Sequence, residues 1–452
     1  MGRLFGTNGV RGVVNRELTA EMILRLASSA GSLLGRRIAL GMDGRTSGPM
    51  LREAAIGGLL SVGCTIYDMG ILPTPVLQFS VKGLGLDGGL MLTASHNPPE
   101  FNGLKVVASD GVEVPRGVEE EIESLYYRGG PPLSPWDEVG VVRGVNPIEA
   151  YEAAVLSHVD REGIRRAGLR VALDPGNGVS VLTAPSVAGR LGCPVYSINA
   201  EIDGRFPGRG SEPRPDNLNG LRALVEATGA DLGVAFDGDG DRAIFVDERG
   251  EVHWGDRSFA LVARDFIQRN PGEAVATPVS SSRVVEDVVR GGGGRVIWTR
   301  VGSVVVSRTM VELGVKLGGE ENGGIFYAPH LPVRDGTMAM ALILDIMARE
   351  GKPLSKLFGE LPRYHQMKER IPCPSHLKEG VMERIRGMVD APRIESIDGL
   401  KLWYDDGSWI LIRPSGTEPI IRLYAEAGEP GRVSALIERH KRLVAEAMET
   451  SG

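Results

Sequence analysis

Cysteine is scarce. The 452 residues hold three, Cys64, Cys193 and Cys373, too few and too far apart for a disulfide framework and without the short spacings of a thiolate metal site. They read as small buried residues in a reducing compartment. The opening segment from Met1 to Gly6 lacks the apolar core of a secretory leader, so a cytoplasmic protein is expected. No run reaches the roughly 18 uninterrupted apolar residues of a membrane span, so no membrane association is expected. Excess positive charge is missing too. Lys and Arg number 51 against 58 Asp and Glu, a formal net charge of −7, which argues against a nucleic-acid-coating surface. An anionic substrate must then be drawn in by local arginine clusters.

What is present is ordinary globular material: 42% hydrophobic and 24% charged residues, in a length that suggests about three domains. One local grammar occurs three times: an apolar β-rich run, a turn of small residues, then a helical pattern. It appears at Ile38 to Met42 with Asp43-Gly44-Arg45-Thr46-Ser47-Gly48, at Leu169 to Leu173 with Asp174-Pro175-Gly176-Asn177-Gly178, and at Ala274 to Val279 with Ser280-Ser281-Ser282 and a helix from Arg283 to Val289. Strand, turn and helix in that order predict α/β units with mostly parallel sheets. Turn-rich stretches place boundaries near residue 150, after Asp247-Glu248-Arg249-Gly250, and near Leu361-Pro362. The tail differs. Leu400 to Trp403 and Trp409 to Ile412 read as strands and Arg432 to Met448 as an amphipathic helix, an α+β pattern.

Two loops carry chemistry. Asp237-Gly238-Asp239-Gly240-Asp241-Arg242 lies between the strand-like runs Leu232 to Phe236 and Ala243 to Val246. Side chains at every second position point the same way, so the three carboxylates converge, and hard oxygen ligands suit Mg²⁺. A solvated acidic turn is the plain alternative. An EF-hand, with Glu248 at the twelfth position, is opposed by Arg242 at the sixth and by strand-like flanks. The other loop is Thr93-Ala94-Ser95-His96-Asn97-Pro98-Pro99. A serine hydroxyl is a poor nucleophile without a base or metal. His96 is adjacent in sequence, and adjacent side chains ordinarily diverge. A serine that merely caps its own turn is the alternative here.

Taken together, these residues resemble the α-D-phosphohexomutase superfamily, which includes phosphoglucomutase, phosphomannomutase and phosphoglucosamine mutase. The likeness spans essentially the whole chain and rests on four separated loops in order. It implies four domains around a central cleft: 1–149 with the phosphoserine, 150–250 with the metal, 251–362 for sugar recognition, and a smaller α+β domain 363–452 for phosphate. The fold class implied is α/β, three related domains with mixed, mostly parallel sheets plus that tail. The resemblance makes the protein an isomerase that interconverts hexose 1- and 6-phosphates. Ser95 would carry the phosphoryl group, with Arg11, His96 and Lys105 as catalytic neighbours. One Mg²⁺ would be held by Ser95, Asp237, Asp239 and Asp241, and a hexose 1,6-bisphosphate would serve as intermediate and activator. Substrate-binding positions implied are Arg242; Arg300 and Gly302; Glu320 and Asn322 in Gly319-Glu320-Glu321-Asn322-Gly323; and Arg413, Ser415, Gly416, Thr417 and Arg422 at the phosphate loop. Asn8 replaces a more usual Asp, and Gly324 stands where many members carry a proton-transferring His. The opening Phe5 to Gly12 looks most like phosphoglucosamine mutases, with phosphomannomutase or phosphoglucomutase as the alternative. A metal-dependent sugar phosphatase and a non-catalytic sugar-phosphate sensor are the rival readings. The expected partner is a small phosphosugar; nothing in the chain specifies an oligomeric state.

Overall fold

The computed structural model describes residues 4–6, 8–416 and 418–449; Thr417 of the phosphate loop lies outside them. Four sheets follow one another along the chain. The first runs Val10–Val13, Phe101–Ala108, Gly88–Leu92, Arg37–Met42, Thr65–Ile71, Val142–Gly144 across its width. The second runs Val252–His253, Ala243–Asp247, Leu232–Phe236, Val171–Asp174, Val195–Ser197. The third runs Arg295–Thr299, Ala274–Pro278, Leu317–Gly319, Ile325–Tyr327, Leu331–Arg334.

Each of these three is mixed in one way. Strands are parallel on one side and antiparallel on the other, and a single strand sits at the switch. Gly88–Leu92 pairs parallel with Arg37–Met42 and antiparallel with Phe101–Ala108. Leu232–Phe236 is parallel to Val171–Asp174 and antiparallel to Ala243–Asp247. Leu317–Gly319 is parallel to Ala274–Pro278 and antiparallel to Ile325–Tyr327. All three switch strands are buried along their whole length, as strands covered on both faces must be. The loops that leave them are the serine loop, the aspartate loop and the Glu320 loop.

One apolar cluster runs through all three units, from Ala39 through Val171 and Val275 to Leu361. The helix Gly336–Glu350 is buried over most of its length, as a helix apolar on nearly every side requires. Just before it, Asp335 accepts the Tyr151 hydroxyl at 2.7 Å. The fourth unit is α+β. Its fully antiparallel sheet runs His365–Pro372, Ile420–Ala427, Trp409–Pro414, Leu400–Trp403, Arg393–Glu395. Its own core includes Val381, Ile385, Ile412, Leu436 and Val444. No described helix is long and apolar enough to cross a membrane.

Polar contacts fasten the fourth unit to the third. The Lys401 ammonium donates to Val279 O at 2.8 Å and lies 3.9 Å from the Trp409 ring centre. The buried Glu426 carboxylate accepts from Trp409 Nε1, Arg283 N and Gln366 Nε2, each at 2.9 Å. Glu426→Ala strands the Trp409 and Arg283 N–H groups and leaves Gln366 Nε2 with Asp256 alone, at 3.1 Å. It should cost on the order of 3 kcal/mol and make the C-terminal unit melt ahead of the rest in scanning calorimetry. A thermogram identical to that of the parent would contradict this.

Candidate active site

The serine loop is shaped by an arginine from the neighbouring turn. Arg45, 1% exposed, donates to Ser95 O at 2.8 Å, Asn97 O at 2.7 Å, Pro98 O at 2.6 Å and Phe101 O at 2.9 Å. Asp43 balances its charge through Nε at 3.1 Å and accepts the Thr93 hydroxyl at 2.6 Å. Thr93 Oγ1 in turn accepts from Ser95 N at 2.8 Å. The turn is therefore capped by Thr93, and the Ser95 hydroxyl is left for another partner.

Ser95 has φ of 51°, in the left-handed region that a non-glycine residue enters at a cost. That conformation overturns the expectation that neighbouring side chains diverge: Ser95 Oγ lies 3.3 Å from His96 Nδ1. The same hydroxyl donates to Asp237 Oδ2 at 2.8 Å, so the two sequence loops meet. Gly238 permits this approach, since a Cβ there would stand 2.6 Å from Ser95 O. Ser211 adds a clasp from the second unit, donating to His96 O and Asn97 O at 2.8 Å each.

Asp237, Asp239 and Asp241 bring ligand oxygens within 4.8 Å of one another. Strands flank them on both sides, and Glu248 points elsewhere, to the backbone N–H of Ser355 at 3.0 Å; both facts exclude the EF-hand. Cations from three stretches of chain surround the trio. Lys105 reaches Asp239 Oδ2 at 2.7 Å and Asp241 Oδ2 at 3.0 Å. Arg242 Nε donates to Asp237 Oδ2 at 3.0 Å, and Arg334 Nη2 to Asp241 Oδ2 at 2.5 Å. Thr74, opening the helix Thr74–Gly83, gives Asp239 Oδ2 a hydroxyl at 2.6 Å.

The other oxygens of two acids, Asp239 Oδ1 and Asp241 Oδ1, are buried without a hydrogen-bond partner. Unpaired buried carboxylate oxygens call for a ligand. Two such atoms beside a third carboxylate fit a hard divalent cation, so the triad can bind a metal ion.

Charge sets the protonation states. Burial, followed by Asp241, pushes Asp237 up to about 7. Burial also opposes the charged form of Asp239, yet Lys105 outweighs it and the pKa falls. For Lys105, burial is outweighed by Asp239 and Asp241, so the ammonium is retained more firmly than usual. His96 is held well below the ordinary histidine value by burial and then by Arg242, Arg11 and Arg334; it is neutral at pH 7. Arg11 donates to Asn97 Oδ1 at 2.8 Å and Ala94 O at 3.1 Å, and burial lowers it to about 10.

Glu320 is buried and accepts from Arg334 Nη1 at 3.4 Å, which ties its loop to the aspartates. Asn322 accepts from Gly324 N at 3.3 Å. Gly302 has φ of 140°, and Ser303 beside it accepts from the Asn8 amide at 2.9 Å. Arg300 is exposed and does not join the aspartate cluster. The fourth unit gathers a separate group. Arg413 and Arg422 are cross-strand partners, held by Asp398 at 2.6 Å and by Glu418 respectively. Ser415 Oγ accepts from Glu418 N at 3.2 Å, Gly416 is exposed, and Lys378 Nζ donates to Ser415 O at 2.8 Å.

Sequence reasoning missed Arg45, Thr74 and Arg334. Only Arg45 left a trace, in the turn Asp43-Gly44-Arg45.

Known proteins match this arrangement along its length. Family profiles for phosphoglucomutase/phosphomannomutase match in order: alpha/beta/alpha domain I over residues 2–130, domain II over 149–250, domain III over 254–364 and the C-terminal domain over 372–442. A phosphoglucosamine/phosphogalactosamine mutase of Sulfurisphaera tokodaii is 42% identical over 98% of this chain and 99% of that protein. A phosphoglucomutase/phosphomannomutase of Thermococcus kodakarensis is 40% identical over 99% and 100%. The crystal structure of a phosphoglucomutase/phosphomannomutase family protein from Burkholderia thailandensis superposes with a TM-score of 0.88 at 28% identity, covering 99% of this chain and 98% of the other.

Gly238→Ala tests the meeting of the two loops. Its methyl would push the aspartate loop off Ser95 O, and a displacement of about 1 Å should lower kcat on the order of a hundredfold with little change in melting temperature. An unaltered kcat would show that the contact is incidental.

Proposed function

The chain belongs to the phosphoglucomutase/phosphomannomutase family of phosphohexose mutases, and on that premise we propose how its residues divide the work. The reading rests on one observation above all: the Ser95 hydroxyl donates to Asp237 at 2.8 Å across 142 positions of sequence. Phosphorylated Ser95 gives its phosphoryl group to a hexose monophosphate. The Oγ–P bond breaks as a P–O bond forms to the sugar hydroxyl. The bisphosphate turns end for end and returns its other phosphoryl group to Ser95, regenerating the phosphoserine. Asp237, Asp239, Asp241 and the phosphorylated Ser95 are the proposed holders of one Mg²⁺, which when bound supplies positive charge against the equatorial oxygens.

As the sugar hydroxyl is phosphorylated it gives its proton to His96, neutral and beside the serine oxygen, and His96 passes it to the Ser95 oxygen that the phosphoryl group leaves; the return transfer runs this relay backwards. Lys105 is held protonated by two aspartates and contributes charge. Arg11 and Arg242 face the transferring group, and Glu320 and Asn322 receive ring hydroxyls. Arg300, Gly302, Arg413, Ser415, Gly416, Thr417 and Arg422 grip the phosphate that is held without being broken. The joints between units are proposed at 149/150, 250/251 and 362/363. Glucosamine phosphate is the preferred substrate. The opening residues and the 42% identity to a phosphoglucosamine/phosphogalactosamine mutase favour it over the mannose and glucose phosphates suggested by the 40% relative.

Ser95→Ala should lose turnover completely, and the parent protein should carry added phosphate mass on the peptide containing Ser95. Total organic phosphate should stay constant during turnover; release of inorganic phosphate would make the protein a phosphatase, and neither transfer nor release would make it a sensor. Coupled assays with glucosamine, glucose and mannose phosphates rank the sugars.

His96 has a separate signature. Its lowered pKa means it takes up a proton only well below pH 6.5, so the acid limb of kcat/KM should lie below that value. In His96→Gln that limb should vanish. A separate limb from Asp237, whose pKa burial and Asp241 push up to about 7, should survive the substitution; a profile below pH 6.5 left unchanged by it would remove His96 from the mechanism.

A further inference from the structure

Gly324 has no need of glycine for its own backbone, since its φ lies outside the left-handed region. It is glycine because of a neighbour. A Cβ at that position would stand 2.5 Å from Arg334 Cδ and 2.8 Å from Arg334 Cγ. The arginine stem fills the place where a side chain at 324 would be.

Through that gap the guanidinium, 9% exposed, reaches two acids on different loops. Nη2 donates to Asp241 Oδ2 at 2.5 Å and Nη1 to Glu320 Oε2 at 3.4 Å. Arg334 ends the strand Leu331–Arg334 at the edge of the third sheet, so its backbone is rigidly placed. The Glu320 loop is tied to the aspartate strand by backbone as well, through Ala243 N to Gly323 O at 3.1 Å. A planar fork can hold two carboxylates at fixed separation, where a single ammonium holds one at a time.

We propose that Arg334 is a positioning residue that locks the sugar-recognition carboxylate Glu320 to the aspartate loop, and that the bare Gly324 is what admits it. The inference rests on the mutase reading above and deepens it: one side chain sets the span between the bound sugar and the serine that exchanges phosphate with it. A misplacement of Glu320 loosens the sugar and misaligns its hydroxyl, so both KM and kcat register the change.

The test is a double-mutant cycle of Gly324→Ala and Arg334→Ala, with Arg334→Lys as the conservative variant. Turnover is measured with glucosamine phosphate, and glucose 6-phosphate is titrated calorimetrically into the same substitutions on a Ser95→Ala background, where nothing is converted. Each single substitution should weaken glucose 6-phosphate binding about tenfold and lower kcat as well; Gly324→Ala and Arg334→Lys, which keep the buried positive charge, should also leave the melting temperature within a few degrees. The pair should be no worse than Arg334→Ala alone, because truncation removes the Cγ and Cδ that the new methyl at 324 would meet. Arg334→Lys should fail to restore binding. Should Arg334→Ala not fold, Gly324→Ala and Arg334→Lys carry the test alone. Penalties that multiply in the double variant, or parental binding by Gly324→Ala, would overturn the inference while leaving the mutase reading intact. Absence of turnover and of Ser95 phosphate in the parent protein would reject that reading, and this inference with it.

Discussion

Three buried carboxylates within 4.8 Å of one another are the constraint on which the rest of the molecule turns. Two like charges at about 4 Å repel by roughly 4 kcal/mol at an effective dielectric constant of 20, so the trio cannot stand unaided. Its counter-charges come from different units. Lys105 lies on the strand Phe101–Ala108 of the first sheet, Arg242 follows the acids themselves, and Arg334 closes the third sheet. Removing one partner of such a buried set leaves an uncompensated charge, which is far worse than never having built it. Packing the three units together and neutralising the aspartates are therefore one event, and the continuous apolar cluster beneath them keeps the geometry in place.

The same physics appears in the supports. At the end of Arg37–Met42, Asp43 holds the buried Arg45, and Arg45 grips the carbonyls of the serine loop. At the end of Val171–Asp174, Asp174 holds Arg209 at 2.7 Å, and Arg209 donates to Phe236 O at 2.6 Å, immediately before Asp237. In both units an acid at a strand end pins an arginine, and the arginine fixes the backbone of the loop next door. A guanidinium suits this work because its fixed fork satisfies several carbonyls together without deprotonating. The repeated strand–turn–helix grammar of the sequence thus carries a repeated device for stiffening a loop.

Local chemistry was legible in the chain, and remote chemistry was not. Ser95 and the aspartates declare themselves because alternate positions, prolines and glycines act over a few residues, and the strands around them follow from unbroken apolar runs. The tail strands Leu400–Trp403 and Trp409–Pro414 and the helix Pro430–Glu449 could be read from periodicity in the same way. Arg334 could not be read, because its meaning depends on a missing Cβ in another strand's loop. Thr74 was equally silent, being a helix-opening threonine until the second unit sets Asp239 against it. The approach of Ser95 to His96 was hidden for a different reason: it follows from a positive φ, which sequence marks only when glycine or asparagine supplies it.

The fourth unit poses the opposite electrostatic problem. Arg413 and Arg422 sit side by side across two strands, and two guanidinium groups in that position repel. Each has taken a carboxylate, Asp398 for one and Glu418 for the other. Asp398 also accepts Val301 N at 3.0 Å, beside Arg300 and Gly302 in the third unit. On the proposed reading, a phosphate dianion entering here meets arginines already oriented and partly desolvated by surrogate anions, so it exchanges one charge-assisted contact for another. The cost of ordering two long side chains has been met in folding. Because Asp398 bonds both Arg413 and the third unit, any rearrangement of that acid on phosphate binding must also act on the seam between the two units. On that reading, phosphate grip and domain contact share a single carboxylate.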